Sequence, residues 1–295
     1  MKLNRIEAAS LSKLFAATVM RDFAKHARSP QVAGIISNSR TISETAPEIS
    51  VGSAFELAFS LLRRSQFRCD YVYRSALVQK LLLGRHTLST ATLLNEVRTG
   101  TAVADLTILN GTSTAYEIKS DRDSLKRLDH QVRNYRKVFA TVNVIVNQSR
   151  VSETINRTPP DVGVLTLSDK FTIQTIRQPI DSPHRTDPIA ILDILRANEA
   201  ITILERLDRH IPAVPNTQIR SELHRAFSTL DPAAVHDQMV NVLKKSRSQA
   251  HLRDFVSSIP NSARAAALVS NPSPDSQERI KLALNTPLTE ALAWK

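Results

Sequence analysis

Cysteine is almost missing. Cys69 stands alone in 295 residues, so no intramolecular disulfide can form and no zinc site can be assembled from cysteine pairs. A reducing, cytoplasmic setting fits that usage. Glycine is scarce as well, with six residues, and neither a P-loop nor a GxGxxG run occurs. Aromatic residues make up 5% of the chain, so a base-stacking groove for single strands is not advertised. No apolar run reaches the roughly 18 residues that a membrane span needs, and Glu7 with its polar neighbours interrupts any signal-peptide core. The eight histidines are scattered without metal-ligand spacing.

Acidic residues are outnumbered: 39 Lys and Arg face 28 Asp and Glu, a formal net charge of +11. The excess is uneven. Residues 1–100 hold 14 basic against 7 acidic side chains, residues 101–200 hold 13 against 12, and residues 201–295 hold 12 against 9. A basic excess favours polyanion partners through phosphate attraction. The competing reading is solubility alone.

Hydrophobic residues at 42% indicate a folded chain, long enough for more than one subdomain. Three consecutive zones are expected. Residues 1–70 read as helical, with Leu11, Leu14, Phe15 and Val19 at helical spacing, a polar loop from Ile36 to Ser50, and a second helix through Phe55 and Leu61. Residues 71–178 read as α/β: a helix from Tyr71 to Leu83, then strands over 92–97, 103–109, 113–119 and 142–146 and a closing hairpin over 162–176. A helix opening at Ser124 carries Leu125, Leu128, Val132, Tyr135 and Phe139, with Asp123 and Ser124 as caps. Residues 179–295 start with a proline-rich linker, QPIDSPHRTDP, and continue as helices broken at prolines that include Pro212.

The chemistry concentrates in the middle zone. Mg²⁺ takes hard oxygen ligands, commonly one or two carboxylates with waters and phosphate oxygens. Asp105 and Glu117 lie on strands joined at Asn110-Gly111, a strong hairpin signal. A strict two-residue turn sets Asp105 opposite Tyr116, whereas a three-residue loop sets it opposite Glu117. A site needs the second register, or a bulge that does the same job. Lys119 shares a sheet face with Glu117 and can orient a water or offset phosphate charge. Such an acidic-x-Lys triplet is common on its own and is usually a surface ion pair; its conjunction with a strand Asp, a hairpin turn and a helix bearing Gln131 and Tyr135 gives it weight. Glu96 is a third carboxylate, a proton acceptor for the water, or the salt-bridge partner of Arg98 or Lys119. Arg98 is a phosphate contact or a surface charge. Gln131 lies one turn from Arg127 and one turn from Tyr135, and Tyr135 also fits the apolar stripe of its helix.

This conjunction resembles the PD-(D/E)XK nuclease superfamily. Asp105 matches its metal-binding Asp, with Ala104 where the Pro would stand, and Glu117-Ile118-Lys119 matches its E-x-K signature. Gln131-x-x-x-Tyr135 resembles the Q-x-x-x-Y helix motif of the branch with RecB-type and Cas4-type nuclease domains, where it helps hold DNA and order the site. That branch often carries an upstream His as a further metal ligand; here the matching region offers Glu96. The run YEIKSDRDSLKRLDHQVRNYRKVFA is similar to that of a bacterial family within the superfamily, over about residues 70 to 200.

The resemblance implies an α/β fold: a restriction-endonuclease-like mixed sheet core at 71–178, flanked by helices, between a helical N-terminal region (1–70) and a helical C-terminal region (179–295). It implies a Mg²⁺- or Mn²⁺-dependent nuclease that hydrolyses phosphodiester bonds in DNA, with RNA left open, acting in defence against foreign DNA or in its processing. The catalytic set is Asp105, Glu117, Lys119 and Glu96, the metal ligands Asp105, Glu117 and Glu96, and the nucleic-acid contacts Gln131, Tyr135, Arg98 and Arg127. No membrane partner is expected. The C-terminal helices are a candidate surface for a second copy or a protein partner. The alternative is a catalytically silent module on the same fold, binding nucleic acid or protein.

Overall fold

The computed structural model describes residues 3–43, 49–121, 123–210 and 214–295. Residues 44–48 of the expected loop and the expected break at Pro212 lie outside them. The chain first forms α1 (Arg5–Ser12), α2 (Ala17–His26), α3 (Pro30–Ser37), α4 (Arg40–Ser43), α5 (Val51–Leu62), α6 (Asp70–Leu77) and α7 (Leu83–Arg85), the last two joined by a π-helical turn over Val78–Leu82. The helix starts follow local chemistry. The Asn4 side chain accepts the Glu7 N–H (2.8 Å) and the Ser50 hydroxyl accepts the Ser53 N–H (3.2 Å), each satisfying an otherwise orphaned donor. α4 occupies part of the stretch expected as loop.

Next come β1 (Thr92–Thr99), β2 (Ala102–Asn110), β3 (Thr112–Lys119), α8 (Leu128–Tyr135), β4 (Thr141–Val146), α9 (Val151–Arg157), β5 (Gly163–Leu167) and β6 (Ile173–Arg177). The helices α10 (Pro188–Ile194), α11 (Ala197–Arg206), α12 (Asn216–Phe227), α13 (Pro232–Ser246), α14 (Arg253–Ser258), α15 (Arg264–Ser270), α16 (Pro274–Asn285) and α17 (Leu288–Ala291) follow. The fold is mixed α/β. The strands form one six-stranded mixed sheet, in the order β1-β2-β3-β4-β5-β6. β1, β2 and β3 run antiparallel, β3, β4 and β5 run parallel, and β6 returns antiparallel to β5. Parallel neighbours need a crossover, and α8 and α9 supply the two that this order demands.

Residue contacts divide the chain into two compact units that differ from three consecutive zones. One unit, all helical in its regular structure, comprises residues 1–88, 168–172 and 249–295; the other comprises 89–167 and 173–248. The helices α10 to α13 therefore belong with the sheet, and only the segment from Gln249 onward joins the N-terminal helices. The helical unit packs aromatically: Phe15 stacks on Tyr71 at 4.4 Å between ring centroids and meets Phe55 edge-on at 5.3 Å, and Phe23 meets Trp294 at 5.9 Å. In the sheet unit a hydrophobic core packs Ala104, Leu109, Ala115 and Val144 with Leu128, Val132, Tyr135 and Phe139, and with Ile191, Ile203, Phe227 and Met239 from its helices.

Two stretches differ from the expectation. α8 begins at Leu128, not Ser124. The Asp123 carboxylate instead accepts the Ser120 N–H (2.8 Å) and hydroxyl (2.6 Å), closing a tight turn after β3; Leu125 and Phe139 stay buried on either side of the helix. The segment read as a linker is stitched to the sheet unit. The N–H groups of Ile180, Ser182 and Asp187 donate to the carbonyls of Asp161, Ala140 and Lys137. Asp181 accepts from the hydroxyls of Thr112 and Thr141, both at 2.8 Å.

Candidate active site

The strand register decides whether a site exists. Asn110 pairs with Thr112 around Gly111, and Leu106 pairs with Tyr116, which is the three-residue loop. Gly111 has φ +72°, the left-handed region that glycine enters without strain. Continuing the register one residue places Asp105 across from Glu117. On the other side, Asn95 pairs with Leu106 and Val97 with Ala104, so Glu96 lies across from Asp105. Three acidic positions thus fall on adjacent strands at one level of the sheet.

Their environments differ. Glu117 is 1% exposed and its carboxylate is fully engaged. Oε1 accepts from Lys119 Nζ at 2.8 Å and from Gln131 Nε2 at 2.6 Å, and Oε2 lies 2.6 Å from the Tyr135 hydroxyl. Lys119 Nζ also donates to Gln131 Oε1 at 2.9 Å. The Gln131 amide therefore bridges the two members of the E-x-K pair, donating to one and accepting from the other. An ammonium has three donors, and these bonds use two. The Tyr135 hydroxyl is also 2.7 Å from the Val103 carbonyl, so its single proton faces two acceptors. Burial, then the charges of Glu117 and Asp105, push the Tyr135 phenol well above its ordinary range; it stays protonated, as a donor.

Asp105 is half-buried, and its Oδ2 accepts the Ile118 N–H at 2.7 Å. Glu96 is exposed, with φ +52°. That backbone aims it away from regular pairing, and among the described residues no three His, Cys, Asp or Glu side chains converge as a metal-ligand group. Glu96, expected as a third ligand, is an exposed neighbour of the Asp105–Glu117 pair in this structure. Arg98 and Arg127 are exposed, and no hydrogen bond or ion pair among the described residues joins either to the cluster. Of the expected nucleic-acid contacts, Gln131 holds both Glu117 and Lys119 directly, and Tyr135 holds Glu117. The sequence signal for this was their spacing of four on one helix, one turn apart. The parts that sequence reasoning missed are backbone groups, the Ile118 N–H and the Val103 carbonyl, which no side-chain motif can announce.

The donor set fits a divalent cation in chemical type. Asp105 and Glu117 are two hard carboxylates on neighbouring strands, and Mg²⁺ needs no more from protein when waters and phosphate complete its shell. The bonds that Glu117 makes to Lys119 and Gln131 are the ones a cation would have to share or displace.

A second polar chain in the sheet unit looks like a nucleophile relay. The Ser113 hydroxyl is 2.8 Å from His236 Nε2, and His236 Nδ1 is 3.2 Å from Asp237. Ser113 is 0% and His236 1% exposed, and the Ser113 oxygen also accepts the Ala140 N–H at 3.1 Å. No substrate reaches such a serine, so the chain is a structural tie between β3 and α13.

A sequence model of the family described as Bacteriophage P4 protein cII matches residues 63–269, which include every residue of the cluster. Protein cII of Enterobacteria phage P4 is 45% identical over 80 residues, or 26% of this chain and 30% of that protein. The chain thus spans about 30% of the length of this curated relative. No solved structure matches significantly. With about two thirds of its length under one family model, the chain belongs to the bacteriophage P4 protein cII family.

Proposed function

We propose that this protein is a metal-dependent phosphodiesterase acting on nucleic acid, DNA first, with the active site of a PD-(D/E)XK nuclease on a restriction-endonuclease-like sheet. One observation carries the reading: the hairpin register that sets Asp105 across from Glu117 also leaves Lys119 Nζ 2.8 Å from the Glu117 carboxylate. The mixed sheet, with a crossover helix that delivers Gln131 and Tyr135 to the same point, supports it.

Asp105 and Glu117 would hold the Mg²⁺ or Mn²⁺ ion. When bound, that ion supplies Lewis acidity and a water activated near neutral pH. Lys119 directs its remaining N–H at the attacking water or at the phosphate, where charge builds up during in-line displacement. Gln131 and Tyr135 are positioning residues. They fix the Glu117 and Lys119 side chains, so that little reorganisation is left for the reaction.

The test is cleavage of linear, circular and single-stranded DNA, and of RNA, with Mg²⁺ or Mn²⁺ and with EDTA. Asp105→Asn is the informative variant, because the amide oxygen can still accept the Ile118 N–H while the charge is gone. Metal-dependent cutting that Asp105→Asn abolishes is the expected result. Equal cutting by the variant, or none by the wild type on any substrate, sinks the reading. The second outcome would favour a silent binding module, whose support is that both Glu117 oxygens are already bonded by the chain itself.

A further inference from the structure

The helical unit holds a cleft of about 410 Å³ lined by Ser60, Arg63, Arg64, Ser65, Gln66 and Asp169. It forms where α5 ends and a short 3₁₀ turn, Ser65–Phe67, begins. Two guanidinium groups, a free hydroxyl at Ser65 and an amide at Gln66 gather around one open space. Among the described residues neither Arg63 nor Arg64 has an acidic partner, whereas the one acid in the cleft, Asp169, is paired with Arg68 at 3.2 Å.

Arg63 is held ready. Its guanidinium lies 4.2 Å from the centroid of the Phe171 ring, an arrangement that attracts the cation to the ring face and leaves the in-plane N–H groups free for a bidentate anion. Phe171 itself has φ +57°, a conformation that is strained for a bulky residue and persists only where the surroundings impose it. They do: the Phe171 N–H donates to the Ser168 carbonyl (3.0 Å), Arg68 donates to the same carbonyl (2.8 Å), and Phe59 packs edge-on against the ring at 5.6 Å. Lys80 adds a second cation 5.7 Å from that ring.

We propose that this cleft binds a backbone phosphate of a nucleic-acid strand and gives the helical unit a grip that is independent of sequence. The lining offers donors and charge but no aromatic face for a base, since Phe171 is 3% exposed. The helical unit also carries 19 Lys and Arg against 11 Asp and Glu, a surplus of eight, as a polyanion partner requires. The choice of nucleic acid over another polyanion rests on the proposed function; the cleft itself does not.

The test is binding of short labelled duplex DNA, single-stranded DNA and RNA to the full chain, by fluorescence anisotropy in EDTA, between about 50 and 200 mM salt. Arg63→Gln/Arg64→Gln should weaken binding about tenfold and flatten the plot of log affinity against log salt by about one to two. Arg64→Gln alone, at an exposed position, should show a smaller loss in the same direction with an unchanged melting temperature, which separates binding from folding. Wild-type affinity and salt slope in both arginine variants would overturn the cleft and leave the proposed function standing. Displacement of DNA by polyglutamate as readily as by unlabelled DNA would overturn nucleic acid as the occupant in favour of an acidic protein. A wild type that binds no nucleic acid would overturn the cleft and the proposed function together.

Discussion

The two units are built from different materials. The helical unit holds ten of the fourteen aromatic residues and a net surplus of eight positive charges; the sheet unit holds four aromatics and 20 basic against 17 acidic residues. The nearly neutral unit is the one with Asp105, Glu117 and Lys119. Carboxylates placed to hold a cation repel a phosphate backbone until the cation arrives, and a single buried lysine offsets only part of that charge. A chain that cuts a polyanion therefore gains from locating its attraction away from its carboxylates. The unequal division of charge is what that separation of attraction from chemistry would look like.

The largest effect that can break the comparison is on cleavage. Asp105→Asn should lower the rate by on the order of a thousandfold, as loss of a main electrostatic stabiliser does, with no loss of DNA affinity. Arg64→Gln should do the opposite, weakening affinity while keeping the rate at saturating DNA. A variant that moves both quantities together, in either unit, would show that attraction and chemistry are not separately housed. Lys119→Ala is a poorer probe. Its ammonium is 7% exposed and bonded to a carboxylate 2% exposed, and removing one partner of a buried pair strands the other.

Next in size is a stability effect confined to the sheet unit. Glu199, at the start of α11, is 3% exposed and accepts from Arg247 at both oxygens, from Ser246 (2.8 Å) and from the Arg196 N–H (2.8 Å). Burial alone would raise its carboxyl, but the Arg247, Arg196 and Ser246 bonds outweigh burial and hold it at about 2. A depressed acid stabilises the fold at pH above its unfolded value of ~4.5 and loses that contribution as pH falls toward 2. Glu199→Ala should cost about 3 kcal/mol at pH 7, and much less near pH 2. Trp294 is the sole tryptophan and lies in the helical unit, so its fluorescence reports that unit while far-UV circular dichroism reports both. The variant should lower the denaturant midpoint seen by dichroism and leave the tryptophan midpoint in place. Equal shifts would mean the units unfold as one.

How much of this was readable in the sequence depends on the range of the interaction. Asn110-Gly111 announces a turn, and the strands on either side follow from their apolar residues. The loop length, which decides whether Asp105 meets Tyr116 or Glu117, does not, because β3 is buried on both faces and its apolar pattern does not choose between two registers that exchange them. Glu117 and Lys119 share a face by spacing alone, whereas the Gln131 amide that links them crosses from helix to strand and depends on how α8 is set down. α9 was missed because seven residues, VSETINR, carry too few apolar positions to show a period. The assignment of α10 to α13 to the sheet unit is the least legible feature. A proline-rich segment reads as a linker until the partners of its backbone groups, the carbonyls of Asp161, Ala140 and Lys137, are known.

A smaller effect tests whether Tyr135 is a positioning residue. Tyr135→Phe keeps the packing of a side chain that is 0% exposed and removes the hydroxyl that Glu117 and Val103 share. The loss should be about 1–2 kcal/mol of stability in the sheet unit, the cost of leaving buried acceptors short of a donor. Cleavage should fall through the rate and not through DNA affinity. A loss of affinity at unchanged rate would instead make Tyr135 a nucleic-acid contact, as the sequence motif implied.

The smallest effect concerns His236, and its sign is fixed by burial. Its ring is almost fully enclosed between Ser113 and Asp237. Burial lowers its pKa below the ordinary histidine value, with Asp237 and Asp181 pulling the other way and Arg185 adding to burial. A base with a depressed folded pKa binds fewer protons folded than unfolded. Its contribution to stability is therefore complete above the unfolded value of about 6.5 and is lost as pH falls through the folded one. The wild type should lose stability between pH 7 and pH 5, and His236→Gln, which keeps a donor and an acceptor at that place but cannot ionise, should lose less over the same range. Glu199 keeps its charge throughout that window, so the two devices separate on the pH axis. A His236→Gln variant with the same pH slope as the wild type would mean that folding does not change how the ring binds protons, and that the tie between β3 and α13 contributes nothing that acid can remove.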